Sequence, residues 1–161
     1  MQTYKRLLMT GAGALLLAGC ALFRHQEPPA TLRLYEEATS TLPEDNVRMV
    51  AIPKLGLKIP LNPYATISEE DVDKATLEQT PGGAAIEVQF DVSGSMVFNE
   101  MTTRCRGQYI VTFLNNRPVA AWLVDRRVTN GQFVVEGDFT DEEAGKAVDS
   151  LNKQSKQRQA P

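Results

Sequence analysis

Histidine and cysteine are scarce in this sequence, and the few present are poorly placed for catalysis. The 161 residues contain one histidine, His25, and two cysteines, Cys20 and Cys105. A nucleophilic triad needs a histidine beside its nucleophile, and zinc sites draw on several His and Cys side chains; this set supplies neither. Ser93 and Ser95 flank Gly94, but no histidine base accompanies them and no strained Gly-x-Ser-x-Gly turn surrounds them, so helix capping is their reading. Glu69, Glu70, Asp71 and Asp73 form an acidic run. A calcium loop arranges its oxygen ligands around a glycine-containing turn, which this run lacks, whereas carboxylates favour the positive end of a helix. Acid–base chemistry would have to rest on carboxylates alone. The chain therefore reads as non-enzymatic, with no call for a metal or a cofactor.

The chemistry that remains is covalent lipidation. Lys5 and Arg6 precede an apolar run from Leu7 to Leu17, the length of a signal-peptide core and short of the ~20 residues a bilayer-spanning helix needs. The run ends in Leu17-Ala18-Gly19-Cys20, which resembles the lipobox of bacterial lipoproteins: small residues fit the peptidase cleft and the thiol accepts diacylglycerol. Residues 1–19 are expected to be a removable signal peptide and Cys20 the lipidated first residue of the mature chain. Each buried methylene contributes about 0.8 kcal/mol, so two or three acyl chains anchor firmly where one holds marginally. Ala21 follows in place of an aspartate, and by the sorting pattern of such lipoproteins this implies a periplasm-facing anchor in the outer membrane.

That leader changes the arithmetic of the rest. Once Lys5 and Arg6 are removed, 15 of the 17 basic side chains face 20 acidic ones and the formal charge moves from −3 to −5, which disfavours nucleic acid as a partner. With Cys20 acylated, Cys105 has no intramolecular partner, and stability must come from a packed core. A 42% apolar, 23% charged composition permits one, and the length fits one domain.

Residues 20–30 carry Pro28-Pro29 and read as an extended tether. Residues 154–161, in a Lys/Gln/Ser-rich end, read as a disordered tail. The domain is expected over 31–153. Three helices are announced by their starts. Ile67-Ser68-Glu69-Glu70-Asp71-Val72 has the form of a capping box inside a hydrophobic staple, with Val72 and Ala75 facing inward. Phe139 to Ala144 repeats the device, and Ala144, Ala147, Val148 and Leu151 then share one helical face. The third helix begins near Ser93 or Ser95, carries Val97, Phe98, Met101 and Cys105 on one stripe, and stops at Gly107. Strands fill the gaps: Ile86, Val88 and Phe90 alternate with polar residues, 108–114 and 118–124 are apolar on both faces around the Asn115-Asn116-Arg117 turn, and 132–136, 32–36 and 47–52 add others. The fold expected is α+β, a mixed, largely antiparallel sheet with about three helices packed on one side.

The order of helix, Gly107, hairpin, strand and then Gly137-Asp138-Phe139-Thr140-Asp141-Glu142-Glu143-Ala144 resembles the head subdomain of the first periplasmic domain of the protein-export subunit SecD. The resemblance runs from about Ile67 to Leu151 and includes Gly82-Gly83, Ile86 to Phe90, Met101-Thr102-Thr103, Gly107 and Gly131. It implies a module that projects from the membrane and contacts an emerging polypeptide. No further apolar segment of spanning length follows the leader, so the helices that conduct protons in SecD, and the companion base subdomain, are not expected.

Other residues are candidates for binding roles. Cys105 could be a reactive thiol, but its position on an apolar stripe favours burial. Arg104, Arg106, Arg117, Arg126 and Arg127 could gather at one end of the hairpin and meet an acidic partner or lipid headgroups, against a reading as solvated strand ends. Trp122 and Tyr109 suit the core, and a sheet face without helical cover would form a patch for peptide. The function expected is a membrane-anchored envelope lipoprotein, a non-enzymatic module accessory to protein export that binds envelope proteins or unfolded exported polypeptide. The alternative is a structural or assembly subunit of an envelope complex.

Overall fold

Two asparagines set the register of the central strands in the computed structural model, which describes residues 27–39 and 47–160. The expected signal peptide, the lipobox and Cys20 lie outside the described residues. Asn115 and Asn116 take φ values of 51° and 61°, the left-handed pair that a two-residue type I′ turn requires and that asparagine tolerates. This turn joins β6 (Tyr109–Leu114) to β7 (Arg117–Leu123), with Leu114 opposite Arg117 and Tyr109 opposite Leu123. Strand β1 (Leu32–Glu36) pairs antiparallel with the other side of β6, giving the order β1-β6-β7.

Strand β6 is apolar on both faces because both are buried. Ile110 and Leu114 enter the main core, while Val111 and Phe113 enter a second core with Val50, Ile52, Ile59 and Leu61. Those four come from a separate hairpin, β2 (Arg48–Ile52) and β3 (Leu57–Leu61). The hairpin covers the face that could have been left as an apolar patch. Tyr35 packs its ring 4.9 Å from that of Phe113, and the Arg48 guanidinium lies 5.5 Å from the same ring, contacts that favour both groups beyond area burial alone.

The third sheet has the order β4-β5-β8, from β4 (Val72–Thr80), β5 (Gly83–Phe90) and β8 (Gln132–Glu136). Ile86, Val88 and Phe90 point into the main core as their alternation predicts. Strand β4 corrects the sequence reading. The capping box at Ser68 forms, with Ser68 Oγ accepting from Glu70 N and Asp71 Oδ2 accepting from Ser68 N at 2.8 Å. It opens one 3-10 turn, Glu69–Asp71, and the chain then becomes strand. A cap contributes about 1 kcal/mol locally, whereas strand pairing aligns β4 with β5 from Val72 opposite Phe90 to Thr80 opposite Gly83. The non-local ladder wins, and Val72 and Ala75 still reach the core.

Helix α1 (Val92–Arg104) is capped by Asp91, whose Oδ1 accepts from Gly94 N at 2.7 Å; neither Ser93 nor Ser95 caps it. Phe98, Met101 and Cys105 are buried as a stripe, Val97 packs at its margin, and Gly107 follows at φ 78°. The helix start sits so close to the 69–71 turn that a Cβ on Gly94 would lie 2.8 Å from Asp71 Cβ. Helix α2 (Asp141–Gln159) has the predicted capping box at Thr140 and Glu143 and buries Ala144, Ala147, Val148 and Leu151. It continues through Gln159, so the expected disordered tail is mostly helix.

The expected single sheet with about three helices on one side is therefore replaced by three small antiparallel sheets and, among the described residues, two α-helices. The main core fills the space between one face of β1-β6-β7, the inner face of β4-β5-β8 and the two helices.

Candidate functional site

A strand at the edge of a sheet presents unpaired N–H and C=O groups, which proteins cover or blunt when nothing is meant to pair there. The two three-stranded sheets treat their outer edges differently. Beyond β1, Leu34 N–H donates to Ile67 O and Thr66 N–H donates to Leu34 O, both at 2.9 Å. Beyond β4, side chains of α2 take the place of a strand. Asn152 Oδ1 accepts from Ala75 N at 2.8 Å while its Nδ2 donates to Ala75 O at 2.9 Å. Ser155 Oγ donates to Asp73 O at 2.5 Å and Arg158 donates to Val72 O at 2.7 Å. These contacts explain why α2 outlasts its apolar stripe: its last turns are held by β4.

The edges at β7 and β8 have no such cover, and no further strand pairs with either among the described residues. Phe90 N–H donates to Gly131 O at 2.9 Å, which sets the phase of the β5–β8 ladder. By antiparallel alternation Phe133 and Val135 then bond inward, and the main chain of Val134 and Glu136 turns outward. On β7, Val124 exchanges bonds with Gly107 and Gln108, so Trp122 and Ala120 bond inward and Ala121 and Leu123 turn outward. Only the strand ends are occupied: Asn130 Oδ1 accepts from Gln132 N, and Val119 O accepts from Asp138 N.

Both open edges border one cleft of about 700 Å³, lined by residues 120–122, 126–130 and 132–136 together with Glu87. Its floor is aromatic. Trp122 lies 5.7 Å from Phe133 and 6.5 Å from Phe98, and Phe98 in turn lies 5.2 Å from Phe133. Trp122 thus packs on the core with one part of its ring and lines the cleft with another, a double role the sequence did not separate. Tyr109 is on the opposite face of its sheet, against the β2–β3 core.

The five arginines do not form one group: Arg104 and Arg127 border a common hollow with Asn99, but Arg117 stands apart. Arg126 and Arg127 line the cleft, and Arg127 Nε donates to Asn99 Oδ1 at 2.5 Å. Arg106 donates to Asp125 O at 3.4 Å, near the same end. Arg117 lies at the hairpin turn, the far end, bonded to Asp138 O and facing Glu143. Arg104 pairs with Glu36 at 2.5 Å, a contact that holds its guanidinium further above its ordinary range. Glu36 itself escaped notice in the sequence. It is 7% exposed and also accepts from Thr66 Oγ1 at 2.9 Å. The signal was there: Leu32, Leu34 and Glu36 alternate, which puts a carboxylate in line with two core leucines.

The acidic run is dispersed as well. Asp71 caps the turn, Glu69 faces Arg33 at 3.4 Å, and Asp73 accepts from Gln159 at 2.6 Å. Among the described residues no group of three or more His, Cys, Asp and Glu is placed to hold a metal. Ser93 is exposed, and Ser95 Oγ donates to Phe90 O at 3.2 Å. Cys105 is buried, and burial, reinforced by Glu36, pushes its thiol up to about 11, which makes it a poor nucleophile near neutral pH. No described helix is long and apolar enough to cross a membrane.

Residues 47–153 match the family model of the SecDF P1 head subdomain, which reaches back past Ile67 to include the β2–β3 hairpin. A crystal structure of SecDF in its super-membrane-facing form superposes with a TM-score of 0.59 at 19% identity, covering 76% of this chain and 18% of that one. A second SecDF structure, of a membrane component that enhances protein export, gives a TM-score of 0.59 at 18% identity and covers 77% of this chain and 62% of that one. These likenesses establish the fold, and the chain spans less than two thirds of either relative. No curated protein matches the chain.

Proposed function

The chain belongs to the SecDF P1 head subdomain family, and from that membership we propose that it is a lipid-anchored, periplasm-facing module that binds exported polypeptide or envelope proteins without catalysing a reaction. The observation that carries this reading is the cleft between β7 and β8, where aromatic rings, charged side chains and unpaired main chain meet in one open surface. Polypeptide offers the same mixture, and an aromatic floor with polar margins accepts many sequences. The anchor is Cys20, acylated after removal of residues 1–19, and Ala21 directs it to the outer membrane.

Two experiments test the reading. Mass spectrometry of the native product reads the anchor: a diacylated or triacylated Cys20 is expected, Cys20→Ser should move the protein from membrane to soluble fractions, and an unacylated start would remove the anchor. A photo-reactive residue at Arg126, Thr129 or Val134, all exposed and lining the cleft, reads it in intact cells. Adducts with exported or envelope proteins, identified by mass, are expected there and not at Lys58 on the far hairpin; background levels at all cleft positions would end the binding reading.

A further inference from the structure

The cleft is not uniform along its length, and its gradient specifies an occupant. Strand β8 keeps the main-chain groups of Val134 and Glu136 unpaired beside a Val134 side chain that is 47% exposed. An open, partly apolar edge is an aggregation hazard that the same molecule suppresses at β1 and at β4. The opposing wall supplies Ala120 and Trp122. The charges are segregated: Arg126 and Arg127 stand at the loop end beside Gln132, whereas Glu136 stands at the other end and Glu87 lies opposite Val134.

We infer that β8 is an acceptor strand, to which an extended segment of the bound polypeptide adds antiparallel through its main chain, with a basic side chain ahead of its apolar residues. This deepens the polypeptide-binding reading and rests on it. Strand addition fits because main-chain bonds give affinity to any sequence, while alternate side chains are read by the walls. The five residues of β8 span roughly 17 Å at about 3.4 Å each, so the acceptor accommodates a segment of about five residues. Antiparallel pairing is chosen because every strand pair in this sheet is antiparallel. In that direction the incoming N-terminal end meets Glu136, and the C-terminal end meets Arg126. Charge complementarity therefore selects a segment ordered Lys or Arg, then apolar residues, then neutral or acidic ones.

The test uses the full chain in detergent and the emission of Trp122, the sole tryptophan, which lines the cleft. The probe is the blocked peptide Lys-Thr-Val-Thr-Val-Thr-Glu, with two versions N-methylated on alternate amides in opposite phases and a fourth with Lys and Glu exchanged. One N-methyl phase, the one facing β8, should weaken binding about tenfold or more while the other is tolerated, and the exchanged peptide should bind several-fold more weakly. Val134→Pro, which blocks an outward edge position with no ladder bond to lose, should match the sensitive phase without shifting the melting temperature by more than a few degrees. Equal affinity, within twofold, for both N-methyl phases and the exchanged order overturns strand addition. If no peptide perturbs Trp122 while the cellular adducts at Arg126 and Thr129 persist, strand addition falls and polypeptide binding stands; loss of both removes the two together.

Discussion

The side-chain cover over β4 makes a quantitative demand on Asn152. Its amide satisfies both main-chain groups of Ala75, a residue only 2% exposed. In Asn152→Ala both lose their partner, and each unsatisfied buried group costs about 1–3 kcal/mol. Alanine returns about 0.6 kcal/mol through its higher helix propensity, and water reaching the half-buried edge recovers part of the rest. The expected loss is about 2–4 kcal/mol. Equilibrium urea unfolding, followed by circular dichroism and Trp122 emission, measures it: with a slope of about 1.5–2 kcal/mol per molar, the midpoint should fall by about 1–2.7 M. Asn152→Asp keeps the acceptor but sets a carboxylate oxygen against Ala75 O, so it should not restore stability. Lys153→Ala, on the exposed face of the same helix, should stay within about 0.5 kcal/mol of the parent. A loss below 1 kcal/mol for Asn152→Ala, or one equal to that of Lys153→Ala, would refute the claim that α2 substitutes for a strand. Uncovering the β4 edge should also raise aggregation on warming.

Other outcomes follow from the same packing. Gly131 has φ +67° and a Cβ there would lie 2.0 Å from Ser95 Oγ, so Gly131→Ala should lower stability by about 2–3 kcal/mol, and adding Ser95→Ala should recover only part because the left-handed backbone stays strained; thermal melts of the three variants check this. The Cys105 thiol is raised from 9.0 to about 11 in the folded chain, so between those pH values the unfolded chain has released a proton that the folded chain keeps. Stability from this group is full below pH 9 and declines as pH rises to 11, by at most about 2–3 kcal/mol. Cys105→Ala should flatten that decline, read as urea midpoints at pH 8 and 10.5. Glu36→Leu leaves Thr66 Oγ1 without its acceptor and the half-exposed Arg104 with Glu100 alone and should cost about 1–3 kcal/mol, whereas Glu36→Gln, which retains an acceptor, should cost about half as much by the same denaturation assay.

Several elements were legible before any coordinate. The Asn115-Asn116 turn, the face of α2 and the alternation of Ile86, Val88 and Phe90 each follow from steric or periodic rules that act within a few residues. The family resemblance rested on such local marks in order, and it held. Strand β4 was not legible, because its capping box is a true local signal overruled by pairing with β5. Strand β3 was missed, and with it the second core that uses the other face of β6. Sequence proximity left open whether the five arginines share one end, and the hairpin carries Arg117 to the opposite end from Arg126. Trp122 was placed in the core, which is half of what it does.

The sequence by itself determined which segments turn and which faces are apolar. Only the tertiary structure decided which strand edges stay open. An edge is closed by whatever chain arrives beside it, and the side chain that closes β4 at Ala75 comes from Asn152, 77 residues away. No window along the chain contains both groups, so the cleft between β7 and β8 exists only once the distant partners of the other edges are in place.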